Sequence, residues 1–199
     1  MKSFIHFLTL LITVSLGIHT ADATPITFQA ILTGANEVPP VASLATGQAI
    51  VVLDPTAQTI QINATFSGLT SNDVAAHIHC CLTSPFLTGV NVGVATTVPA
   101  FVGFPLNVTS GSYNSAVFDL TQALIYNPAF VTLQGGIPQA EAALLAGILN
   151  GGTYFNIHTV SNPGGEIRGF LSKVPEPATL YLLGFGLIAL AGIIRRRRR

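Results

Sequence analysis

The chain has 199 residues, 49% hydrophobic and 8% charged, with no tryptophan and a formal net charge of zero. That balance conceals an asymmetry: Lys2 and Arg195 to Arg199 lie at the two ends, and the stretch between, Thr24 to Lys173, sets two basic residues against six acidic ones and is four units negative. An acidic domain excludes nucleic-acid binding through a basic face, and a domain this long suits one hydrophobic core rather than two.

The N-terminus is laid out as a secretory signal. Lys2 supplies a positive start, Phe4 to Ile18 is largely apolar, and Ala21-Asp22-Ala23 gives the small-x-small pattern read by a signal peptidase. Cleavage between Ala23 and Thr24 is therefore expected, with residues 1–23 removed as a signal helix. An uncleaved anchor is the alternative, disfavoured by the shortness of the apolar run and its interruption at His6.

Strand patterns dominate the chain from Ile26 onward. Ile26 to Leu32, Gly47 to Asp54, Thr59 to Phe66, Val74 to Cys80, Ser112 to Leu120, Thr153 to Thr159 and Glu166 to Leu171 read as strands. Thr59 to Phe66 alternates cleanly, with Ile60, Ile62, Ala64 and Phe66 on one side. Gly34-Ala35-Asn36, Asp54-Pro55, Ser67-Gly68 and Asn162-Pro163-Gly164-Gly165 mark turns between them. Only Gln139 to Leu149 reads as a helix, entered at Pro138 and stopped by Gly151-Gly152. Short strands separated by turns predict a single antiparallel β-sandwich with one short helix.

Three histidines remain after signal removal: His77, His79 and His158. His77 and His79 are two residues apart on one strand and so share a side, opposite Ala76 and Ile78. His158 shares a side with Tyr154 and Asn156, opposite Phe155 and Ile157. If the two strands pair, facing Cβ atoms lie about 4.5–5.5 Å apart, close enough for three imidazoles to share one ion. Neutral imidazoles suit copper or zinc. Cys81 falls on the same side and is a candidate soft ligand, and Glu166 or Arg168 on the next strand is a candidate to orient a ring from behind. The competing reading makes all three histidines ordinary polar strand positions. Cys80-Cys81 is the only cysteine pair; in an oxidising compartment it forms either a bond between neighbours or an intermolecular bridge. No nucleophile elbow, phosphate loop, paired catalytic carboxylates or His-Glu-x-x-His occurs. With no tryptophan and only Tyr113, Tyr126 and Tyr154 in the domain, no carbohydrate platform is evident either.

The C-terminal segment, 174–199, has three parts. Val174-Pro175-Glu176-Pro177 is held extended by its prolines. The uncharged stretch Ala178 to Ile194 would form a transmembrane helix about 26 Å long, just spanning a hydrocarbon core of about 30 Å. Arg195, Arg196, Arg197, Arg198 and Arg199 would hold that end in the cytoplasm. A plain tail anchor has no need of the Pro-Glu-Pro. Together the three parts resemble the PEP-CTERM sorting signal of Gram-negative bacteria. The resemblance implies an inner-membrane precursor cut near Pro175-Glu176-Pro177 by an exosortase-like sorting enzyme, and a destination at the cell surface or in the extracellular matrix.

Four further motifs occur in order: Leu32-Thr33-Gly34-Ala35-Asn36-Glu37-Val38-Pro39-Pro40-Val41, Ala76-His77-Ile78-His79, Asn156-Ile157-His158-Thr159 and Gly164-Gly165-Glu166-Ile167-Arg168-Gly169. They resemble the CHRD domain, a module of chordin and of bacterial secreted proteins, over nearly all of Ile26 to Leu171. The resemblance implies an immunoglobulin-like or superoxide-dismutase-like sandwich over residues 24–173. A glycine-containing turn commonly follows the His-x-His in that family, whereas here Cys80-Cys81 does. Dismutase chemistry is disfavoured, because that enzyme uses more histidines than this domain has. The expected function is non-enzymatic: an exported surface or matrix module with a binding or structural role, its partner exopolysaccharide, a surface protein or a metal ion; an inert β-spacer is a third reading. The alternative is a copper- or zinc-binding metalloprotein, extending to a metalloenzyme, that uses His77, His79 and His158.

Overall fold

Alternation in the strands decides which way each side chain faces, and the structure follows it residue by residue. In this computed structural model residues 24–83 and 89–175 are described, with Gly186 and Arg195 as isolated positions. The strands are β1 (Ile26–Thr33), β2 (Thr46–Asp54), β3 (Thr59–Ser67), β4 (Asp73–Cys80), β5 (Gly111–Asn114), β6 (Phe118–Asp119), β7 (Thr153–Thr159), β8 (Ile167–Phe170) and β9 (Ser172–Lys173). In β3, Ile60, Ile62, Ala64 and Phe66 are buried, while Thr65 and Ser67 are exposed. The period-2 pattern thus finds the core directly.

All ladders are antiparallel, and the sheet order is β4-β7-β8-β1-β2-β3-β5, with β6 on β3 and β9 on β1. This corrects the expected two-sheet sandwich. The strands form one continuous sheet, curled like half a barrel, whose inward side chains meet in a single cluster that includes Phe28, Leu53, Ile62, Ile78, Phe155 and Ile157. Curling lets one sheet enclose a core without a second layer. The predicted strand Ser112 to Leu120 is broken at Ser115. Its N–H donates to the Ile62 carbonyl, and its hydroxyl accepts from the Ile62 N–H, so the ladder pauses between β5 and β6.

Two helices replace the single one expected. The first, α1 (Pro128–Gln134), is capped by Asn127, whose side chain accepts from the Ala129 N–H, and it ends at Gly135 with φ 93°. The second, α2 (Ile137–Leu149), begins two residues before the predicted Gln139, with Pro138 in its first turn. It buries Ala140, Leu144 and Ile148. Among the described residues no helix is long and apolar enough to cross a membrane. The expected signal helix, with Ala23, and nearly all of the expected C-terminal helix lie outside the described residues. The domain closes with β9, and the Val174 N–H still bonds the Thr27 carbonyl.

Candidate metal centre

Strands β4 and β7 pair in a register that sets Ala76 opposite Ile157, His77 opposite Asn156 and His79 opposite Tyr154. The apolar members face the core, so His77, His79 and His158 share the other face, as alternation requires. That face is not open to solvent. The segments 89–100 and 160–165 fold over it, and the three histidines keep only 5%, 7% and 8% of their surface. The ring centroid of His77 lies 4.8 Å from that of His79 and 4.6 Å from that of His158.

Each ring is fixed by a backbone carbonyl of the covering segments. His77 Nδ1 donates to Pro99 O at 3.2 Å, His79 Nδ1 to Val92 O at 2.7 Å, and His158 Nδ1 to Pro163 O at 3.0 Å. A carbonyl oxygen only accepts, so each Nδ1 carries the proton and each Nε2 keeps its lone pair. All three Nε2 atoms are buried and without a hydrogen-bond partner. One ring nitrogen from each histidine lies within 4.8 Å of the others. Burial holds the rings neutral, pulling His77 down to about 3 and His79 to about 4 from an ordinary 6.5, and lowering His158 as well. Three neutral nitrogens with free lone pairs fit a transition-metal ion. Bonds of 2.0–2.1 Å would bring them to roughly 3.4 Å apart, an approach of up to about 1.4 Å from the present spacing.

The sequence-predicted helpers are placed differently from expectation. Cys81 is bonded to Cys80, and both sulfurs sit near the Ala143 carbonyl of α2. The carbonyl and Gly147 hold that corner, where a Cβ on Gly147 would meet Cys81 Sγ at 3.2 Å. A sulfur tied up in this bond is no thiolate ligand, so Cys81 is not brought to the triad. Glu166 bonds none of the rings. Its carboxylate accepts from Ser43 Oγ, Thr70 N and Oγ1, Thr159 Oγ1 and Asn162 Nδ2. Burial raises its pKa, and these donors more than offset that, leaving it below the ordinary value. Glu166 thereby fixes the turn that carries Pro163, and acts on His158 only through that turn.

Arg168 is fully buried and also bonds no histidine ring directly. Its guanidinium lies 4.5 Å over the Tyr154 ring, and Tyr154 stacks on His79 at 4.6 Å. Nη1 donates to Asn91 Oδ1 at 2.8 Å, Nε donates to Asn36 O, and Glu37 Oε2 lies 3.9 Å from Nε. The residues missed by sequence reasoning are thus the carbonyls of Val92, Pro99 and Pro163, the stacking Tyr154, and Glu37 with Asn156. Glu37 is visible in the first motif, but nothing local places it beside β7.

A curled β-domain with a buried triad of neutral histidines, followed by a sorting segment, defines the class as an exported β-module. The chain belongs to the CHRD-domain family, whose model matches residues 28–171. A PEP-CTERM protein-sorting motif matches residues 173–199, which include Pro175, Glu176 and Pro177. The protein is accordingly an exported, membrane-processed substrate of exosortase-type machinery of Gram-negative bacteria. Comparison with curated proteins and with solved structures found no match to either.

Proposed function

We propose that this exported CHRD module binds one transition-metal ion, copper or zinc, through Nε2 of His77, His79 and His158, and serves at the cell surface or in the matrix as a binding module rather than an enzyme. The observation that supports it is the protonation pattern: three buried rings each spend their N–H on a backbone carbonyl and keep an unshared lone pair on a buried Nε2, with one ring nitrogen of each within 4.8 Å of the others. Polar strand positions of no special role would find donors for those nitrogens, because an unmet buried acceptor costs about 1–3 kcal/mol. Three such costs side by side are offset by an ion. The absence of a nucleophile–base pair in the sequence supports a binding role.

Thermal unfolding with and without metal tests the reading. One equivalent of Zn2+ or Cu2+ should raise the melting temperature of the exported protein and then saturate, since a ligand that binds only the folded state stabilises it by mass action. His158→Ala should show no such rise. A wild-type melting temperature unmoved by either ion rejects the proposal.

A further inference from the structure

Seven buried side-chain atoms among the described residues lack a hydrogen-bond partner; four lie on one face of the β4–β7 pair, and a fifth belongs to Glu37, which bonds Asn156 on that face. These five are Nε2 of His77, His79 and His158, Oδ1 of Asn156 and Oε1 of Glu37. Asn156 is the direct cross-strand partner of His77 and lies two residues from His158 on the same side of β7. Its Nδ2 donates to Glu37 Oε2 at 3.5 Å, which turns the amide so that Oδ1 is left over as an acceptor. Glu37 arrives from the turn after β1, held by its N–H on the Gly34 carbonyl at 3.1 Å. With Glu37 ionised all five atoms accept, and among the described residues no unmet buried donor lies on that face.

An ion satisfies the three nitrogens and leaves two oxygens. Two oxygens beside an ion call for a ligand with two O–H hydrogens. Resting on the metal reading above, we infer that the ion has an open fourth position that takes a neutral O–H ligand, water in the resting protein, gripped by Asn156 Oδ1 and Glu37 Oε1. A buried water needs two to four partners, and the ion with these two oxygens supplies three. The main chain leaves room for this arrangement. Gly165 has φ 126°, and a Cβ there would stand 2.6 Å from Asn156 Nδ2 and 2.7 Å from each Glu37 oxygen. A cleft of about 490 Å3 lined by Glu37, Val38, Pro40, Gly89 and Phe170 borders Glu37. When Glu37 is ionised, above about pH 7, the same acceptors make the position hostile to anions, and azide is compared in that range.

The test uses the exported protein loaded with Cu2+, with azide as the anionic probe. Electron–nuclear double resonance should show strongly coupled protons that vanish in D2O. Azide should bind weakly to wild type. Glu37→Gln removes the charge at nearly constant shape and should tighten azide about tenfold while leaving one copper bound. Gly165→Ala, which crowds the Asn156 amide nitrogen and the Glu37 carboxylate, should weaken the strongly coupled exchangeable-proton signal. Copper bound through the histidines with only the weakly coupled exchangeable protons of the ring Nδ1–H groups, or with azide affinity identical in wild type and Glu37→Gln, overturns the inference and leaves the metal reading standing. No copper bound, or the same signals in His158→Ala, overturns both.

Discussion

The two faces of the β4–β7 pair are built from alternating residues of the same strands, yet they are buried by different means. On the inner face Ala76, Ile78, Phe155 and Ile157 meet other apolar side chains, and a single polar atom, Thr153 Oγ1, is left without a partner. On the outer face His77, His79, Asn156 and His158 are buried just as deeply by loops, and four acceptor atoms are unmatched. The apolar packing of the first face is complete when the chain folds. The second is finished only when something is added, and that difference separates the residues that hold the fold from those that give it a use. Two glutamates repeat the lesson. Glu166 is met by five donor groups and lies below its ordinary pKa, whereas Glu37, with one oxygen unmatched, is pushed up by burial to about 7.

The largest expected break in the comparison is on the metal side. His77→Ala should abolish stoichiometric binding of copper or zinc, measured by competition with a chromophoric chelator, while the metal-free domain keeps its fold. Ile157→Ala should do the reverse. It opens a cavity in the core and should cost about 2–5 kcal/mol in urea unfolding, with metal stoichiometry unchanged. Glu166→Gln removes the charge from a fully hydrogen-bonded carboxylate and should cost about 1.5–3 kcal/mol. Glu37→Gln should cost less than Glu166→Gln in the same assay.

Acid provides the gentlest probe. The histidines are neutral in the folded domain, with His77 near 3 and His79 near 4, but ionise near 6.5 when unfolded. The unfolded chain therefore binds more protons below pH 6.5, and these rings make the metal-free domain progressively less stable as pH falls from 6.5 towards 4. Glu37 acts in the opposite sense between 4.5 and 7, because its folded pKa is the higher one. Three rings outweigh one carboxyl, so the urea midpoint should fall over this window. In Glu37→Gln it should fall more steeply.

Much of this was legible in the residues. The strict alternation of Thr59 to Phe66 and the shared side of His77, His79 and His158 follow from the two-residue strand period, and both hold in the structure. The number of layers was not legible, because period 2 says which side faces a core but not whether a second sheet or the curl of the first supplies it. Helix α1 escapes sequence reading despite Asn127-Pro128 and Gly135 at its ends, since only Phe130 among its residues is buried and no apolar stripe marks it. The ring-orienting groups are invisible for a deeper reason: Val92, Pro99 and Pro163 act through backbone carbonyls, which every residue has. Cys81 misleads because its position along the strand matches the histidines, while the bond to Cys80 turns it to α2.

The most direct measurement is the metal content of the exported protein, purified without chelator and analysed by mass spectrometry beside His158→Ala. The account predicts close to one copper or zinc per chain in the wild type and none in the variant. A wild type that remains metal-free after reconstitution with both ions, or a variant that retains the wild-type content, would contradict it.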